Sequence, residues 1–156
     1  MIVIIKIKFK EVEEEMVSAG FEFDQAAVDA MVNVTKRVNK WVVMQIPDGK
    51  DAGCAMVQCA AAKNPPEDDA EFDAFAACFP DDQPRWGIYD LNFMKNGVNN
   101  NKVIFVQYVP DDCTKNQLKF AYANHKETVK AKIQVNKEMQ INDKCDITRA
   151  KFIDEF

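Results

Sequence analysis

KVIFVQYVPDDCTKNQLKFAYANHK, Lys102 to Lys126, holds a strand, a sharp turn and a long helix in one run. Lys102 to Tyr108 is apolar at nearly every position, which predicts a central strand covered on both faces. Pro110-Asp111 then turns the chain. Thr114 and Gln117 form a T-x-x-Q capping box, so the spacing predicts a helix from Thr114 onward. Leu118, Ala121, Tyr122, His125 and Val129 recur at helical spacing and form its buried stripe. At about 100° per residue, Lys115, Lys119, Lys126 and Lys130 share an arc of about 60° along the border of that stripe. Phe120 points roughly opposite the stripe. It either tucks under a loop or is a binding anchor of the kind aromatic residues supply at interfaces. The lysine arc reads either as a solvated face or as the flank of a docking surface.

Working outward, Asp24 is an N-cap for a helix to about Arg37, with Val28, Met31, Val32 and Thr35 on one face. Lys40 to Ile46 is strand-like, Pro47-Asp48-Gly49 is a turn, and Gly53 to Ala60 is the return strand of a hairpin. Phe72, Phe75, Ala76 and Phe79 mark a short amphipathic helix ended by Pro80. Arg85 to Phe93 is a further strand, joined to Lys102–Tyr108 by a polar hairpin loop over Lys95–Asn101. Ile133 to Val135 adds a short strand, and Thr148 caps a last helix ending at Phe156. The expected fold is α/β in the α+β sense: a central mixed sheet of about five strands sandwiched by helices.

The chain has 156 residues and a net charge of −5. That length suits one domain, taken as 16–156, and the charge disfavours nucleic acid as a partner. Nine acids and two lysines between Asp48 and Asp82 contrast with the lysines gathered after Lys102. No apolar run approaches the roughly 20 residues of a membrane helix, so no membrane insertion is expected. Five cysteines with no C-x-x-C pair fit a reduced, cytoplasmic protein. Residues 1–15, MIVIIKIKFKEVEEE, form an extension. Its apolar run is too short for a signal-peptide core. It reads either as an added edge strand guarded by lysines or as sequence upstream of a domain beginning at Met16.

A search for catalysis finds little. His125, the one histidine, lies on the buried stripe and has no cysteine nearby in sequence, which argues against zinc. G-x-S-x-G, H-E-x-x-H and Gly-rich phosphate loops are missing. Neither an enzyme, a metal nor a cofactor is expected.

Three ordered motifs resemble the ADF/cofilin family of actin-binding proteins, in the manner of a divergent protozoan-type cofilin. Arg85-Trp86-Gly87-Ile88-Tyr89-Asp90 is similar to the family's R-[aromatic]-x-[apolar]-[aromatic]-D strand. Lys102 to Asp111 resembles its strand and Pro-Asp turn. Lys119-Phe120-Ala121-Tyr122-Ala123-Asn124-His125-Lys126 is similar to its K-M-x-Y-A-S-S-K helix. The resemblance implies a cytoplasmic, cytoskeleton-associated monomer. It implies binding to monomeric and filamentous actin, with filament severing or depolymerisation. It places Ser18, Gly20, Lys115, Lys119, Phe120 and Lys126 on a monomer-binding face, with Phe120 in the position of an anchoring methionine. Lys102, Arg149 and Lys151 fall on a filament-only face, and Ser18 is the implied phosphorylation site.

The chain departs from the family pattern at several points. The segment between Pro110 and Tyr122 is one residue longer. Gln117, Asn100 and Glu155 stand where basic residues are usual, Tyr108 replaces a tryptophan, and Ser18-Ala19-Gly20 carries an extra residue. The monomer face is therefore better preserved than the filament face. Gln83-Pro84-Arg85 and Asp146-Ile147-Thr148 are also similar to the glia-maturation-factor subfamily, which implies binding to the actin-branching complex instead. A cysteine-dependent redox protein is the reading from a different class, and it needs a thiol of lowered pKa.

Overall fold

The computed structural model describes residues 21–47, 53–62 and 68–156. Residues 1–15, the turn at Asp48-Gly49, and both Ser18 and Gly20 lie outside the described residues.

Asp24 caps the first helix as its residue type requires, its side chain accepting from the Ala26 N–H. This helix, α1, runs Gln25–Thr35 and follows the two-residue strand β1, Glu22–Phe23. Its buried positions are Ala27, Ala30, Met31 and Val34. The stripe predicted from Val28, Met31, Val32 and Thr35 is thus rotated. Small alanines let the helix sit close on the sheet, while Thr35 stays exposed and its hydroxyl donates to the Val32 carbonyl at 2.6 Å. Then come β2 (Asn39–Gln45), β3 (Gly53–Ala61), α2 (Asp68–Ala76), β4 (Arg85–Lys95) and β5 (Val98–Tyr108). The long helix α3 (Asn116–Lys130), β6 (Lys137–Ile141) and α4 (Arg149–Asp154) complete the order.

The strands form one mixed six-stranded sheet in the order β1-β3-β2-β4-β5-β6, one strand more than the sequence suggests. The β1–β3 and β5–β6 pairs are parallel and the inner pairs antiparallel. Alternation along the strands divides the core. Val42, Met44, Trp86, Ile88 and Phe105 face α1 and α3. Trp41, Val43, Tyr89, Leu91, Ile104 and Val106 face Phe72 and Phe75 of α2 and Phe152 of α4. Gly87 is fixed by this second layer: a Cβ there would lie 2.8 Å from ring carbons of both Phe75 and Phe79.

Three local expectations are corrected. Lys95–Asn101 is not a loop. Asn96 (φ 54°) and Gly97 (φ 76°) make a two-residue turn, and the ladder continues from Lys95↔Val98 inward. Both turn residues need positive φ, the property that makes Asn-Gly a hairpin signal. Asn101, polar but in the strand, is satisfied by Asp90 and by Asn92 Oδ1 at 2.8 Å. Thr114 does not cap α3. Lys115 is the N-cap residue and makes no side-chain capping bond, so the T-x-x-Q box does not form. Ile133–Val135 is not a strand either. Both residues pack on the core from the connection after α3, and the strand is Lys137–Ile141, where the backbone can pair with β5.

Candidate functional site

The site is built on α3. Its inner face is pinned by Tyr122 and Val129, both buried. The Tyr122 ring sits 4.5 Å from that of Trp86, and its hydroxyl accepts the buried Ile46 N–H at 2.9 Å. Burial pushes the Tyr122 hydroxyl up to about 12 despite that bond. Beyond the helix, Asn136 clasps β5: its N–H donates to the Val103 carbonyl at 2.8 Å while its Oδ1 accepts from the Val103 N–H at 2.7 Å. A helix held at both ends in this way presents its outer face as a rigid surface.

Phe120 stands on that outer face and is 67% exposed, so the alternative in which it tucks under a loop is excluded. Lys119 lies beside it, half-buried, and Lys115 is exposed at the N-terminus. Neither lysine forms an ion pair among the described residues. Along one flank opens a groove of about 800 Å³, walled by Ile46, Gln83, Arg85, Leu118 and His125. Arg85 is braced there by the Pro84 carbonyl at 2.8 Å and Gln83 Oε1 at 3.1 Å. The groove joins positions distant in sequence, so periodicity could not reveal it. The α3 residues and the Arg85 motif were legible singly, but not their meeting in one groove.

The other half of the lysine arc behaves differently. Lys126 Nζ lies 2.6 Å from Glu138 Oε1, and Lys130 Nζ lies 2.5 Å from Glu138 Oε2. Glu127 adds contacts of 3.6 and 3.3 Å to the same two lysines. Partial burial works against ionisation of Glu138, but hydrogen bonds from Lys126 and Lys130 hold its carboxyl below the usual range. The bond to Glu138 correspondingly raises Lys130. Lys126, grouped with Lys119 in sequence, is thus engaged with β6.

His125, expected on the buried stripe, is only half-buried and borders the groove. Its ring is 4.6 Å from that of Phe21, the first described residue.

A second group lies along β4. Lys102 is in register with Leu91, and Arg149 Nη2 donates to the Asn92 carbonyl at 2.7 Å, so these two predicted residues converge. Lys102 Nζ is 5.9 Å from the centre of the Phe156 ring, which stacks on Phe93. Lys151 instead pairs with Asp146, and Glu155 pairs with Lys137 at 3.3 Å. Arg85 and Leu91 are six residues apart on one strand, about 20 Å, which separates this group from the groove beside α3.

Among the described residues no three His, Cys, Asp or Glu side chains converge as a metal site, and no helix is long and apolar enough to cross a membrane. Burial and the nearby Asp24 charge push Cys54 up to about 12, and burial also raises Cys78 against the opposing Arg85. Both shifts run opposite to the activation a thiolate nucleophile needs.

Residues 20–156 match the family of cofilin/tropomyosin-type actin-binding proteins. The chain belongs to this family. Among its relatives, a cofilin of Cryptococcus neoformans is 32% identical over 85 residues, covering 53% of this chain and 61% of the cofilin. The match thus spans about six tenths of that relative. Actin-depolymerizing factor 8 of Arabidopsis thaliana is 25% identical over 127 residues, 80% of this chain and 85% of the relative. Streptomyces griseoflavus cofilin superimposes with a TM-score of 0.72 at 22% identity, covering 85% of this chain and 94% of its own. Coactosin from Entamoeba histolytica does so with a TM-score of 0.68 at 13% identity, covering 87% and 94%. At such identities the structural likeness speaks to the fold alone.

Proposed function

We propose that the chain binds monomeric actin through the outer face of α3 and binds filaments through the Lys102–Arg149 group, promoting depolymerisation or severing. One observation carries the reading. Phe120, a large aromatic, stands exposed on a rigid helix beside Lys119 and Lys115, whose charges have no intramolecular ion-pair partner among the described residues. An aromatic anchor flanked by cations is the composition of an interface hot spot that meets an acidic surface. Severing would follow from tighter binding to one filament twist than to another, since a ligand shifts a population only through differential affinity.

Within this reading the monomer contact is the stronger. Lys151 is paired with Asp146, Glu155 with Lys137, and the Asn100 amide donates to the Val98 carbonyl. Arg149 is itself engaged by the Asn92 carbonyl and by Asp69 Oδ1 at 3.8 Å, so within this reading the filament contact falls mainly to Lys102. Co-sedimentation tests the proposal, with actin followed in pellet and supernatant. The expected result is a shift of actin into the supernatant with weak pelleting of the protein. If actin stays fully pelleted, the protein stays soluble and no monomer complex forms, the proposal is refuted. Ser18 is the proposed regulatory site. Phosphorylation adds about −1.5 to −2 charges, which would repel an acidic actin surface. Ser18→Glu should weaken monomer binding, and unchanged binding would sink this role.

A further inference from the structure

The lysine arc of α3 is continuous in sequence but divided in the fold. Lys126 and Lys130 each take one oxygen of the Glu138 carboxylate, at 2.6 and 2.5 Å, while Lys115 and Lys119 stay outside the network. Lys126, Lys130 and Glu138 are about equally sheltered, at 24%, 25% and 27% side-chain exposure, while Glu127, at 69%, flanks both lysines from outside. Each oxygen of the carboxylate is thus engaged by one ammonium group. A partner carboxylate at Lys126 competes with Glu138 for a charge that is already paired, and the exchange of one ion pair for another yields little net free energy. Lys119 has no such competitor.

We propose that Glu138 is a specificity-setting residue of the α3 face. By holding Lys126 and Lys130 in an intramolecular clamp, it confines contact with an acidic partner surface to the Lys115–Lys119–Phe120 half of the helix. The inference rests on the actin-binding reading for its partner, but the clamp itself can be measured without actin. It assigns Lys126, which the family resemblance places on the contact face, a silent role in this chain.

Two experiments on the full chain decide it. The first is competitive acetylation of lysines at low reagent, read by peptide mass spectrometry. Lys126 and Lys130 should react several-fold more slowly than Lys119, and Glu138→Gln should speed both while leaving Lys119 unchanged. Equal rates at Lys119 and Lys126 in the wild type overturn the clamp. The second is a double-mutant cycle on monomeric-actin affinity. Lys126→Ala should stay within about twofold of wild type, since an already paired surface charge contributes little. Glu138→Gln should tighten binding roughly threefold to tenfold at low salt by releasing Lys126 and Lys130 from their nearest partner and leaving them only the longer, exposed Glu127 contacts, an effect that fades as salt screens them. Lys126→Ala in the Glu138→Gln background should then remove much of that gain.

Asp29→Asn on α1 removes the same charge from an exposed site and should leave affinity unchanged. If it tightens binding as much as Glu138→Gln, net charge is responsible and the proposal fails. A tenfold loss from Lys126→Ala in the native background also overturns it, because Lys126 would then be a direct contact. A wild-type chain that binds no actin refutes the functional reading and takes the specificity role with it, whereas the acetylation rates still decide the clamp.

Discussion

Replacing Phe120 by alanine should separate binding from folding, and the structure sets the size of each effect. A fully buried Phe→Ala change costs about 3–5 kcal/mol. Phe120 is 67% exposed, so a third of its surface is covered. A third of that cost is about 1–1.7 kcal/mol, and alanine returns roughly 0.5 kcal/mol through its better helix propensity. The net stability loss should be about 1 kcal/mol or less, a modest shift in urea midpoint. Phe152→Ala, at a site fully buried between sheet and helix, should show the full core cost and serves as the benchmark. Binding should respond in the opposite order. Truncating an anchor at the centre of an interface costs at least about 2 kcal/mol, near thirtyfold in affinity. The assay pairs urea unfolding with titration of a fluorescently labelled actin monomer. If Phe120→Ala loses as much stability as Phe152→Ala, the ring is packed and the face is misplaced. If stability holds and affinity changes less than threefold, the anchor lies elsewhere.

Other expectations follow from packing and protonation. Gly87→Ala should destabilise by about 1–3 kcal/mol through overpacking, because its methyl would sit 2.8 Å from the Phe75 and Phe79 rings; an unchanged urea midpoint would contradict this packing. Tyr122→Phe strands the buried Ile46 N–H without its acceptor and should cost about 1–3 kcal/mol. That loss should appear as a lower midpoint with an unchanged urea slope. Cys54 and Tyr122 keep their protons in the fold up to about pH 12, against ordinary values of 9.0 and 10.0. With folded values above unfolded ones, their contribution is complete below pH 9 and is lost as pH rises toward 12. Urea midpoints at pH 8 and 10.5 should fall, and fall less in a Cys54→Ala/Tyr122→Phe variant; equal falls would show that other groups are responsible.

Local signals were legible wherever one residue and its near neighbours settle the outcome. Asp24 and Thr148 cap helices because a short side chain needs only its own N-terminal turn. Asn96-Gly97 was equally readable, yet the surrounding run of asparagines disguised it as a longer loop. Thr114 shows the limit of such signals. The turn after Pro110, closed by the Cys113 N–H on the Pro110 carbonyl at 3.1 Å, delivers the chain so that α3 starts at Asn116, and the capping motif is left one position outside.

By itself, the sequence determined the alternation and periodicity that make a mixed sheet with helices on both faces. It also determined the outward position of Phe120, because these follow from the angular repeat of each element. Tertiary structure decided which charges remain available. Glu138 enters the helix flank only because β6 pairs in parallel with β5 and brings Lys137–Ile141 under Lys126 and Lys130. Arg149 reaches the Asn92 carbonyl, next to the Leu91 that pairs with Lys102, only because α4 packs back onto β4. An ion pair between residues on separate elements depends on where two backbones meet in space, and no local pattern records that distance.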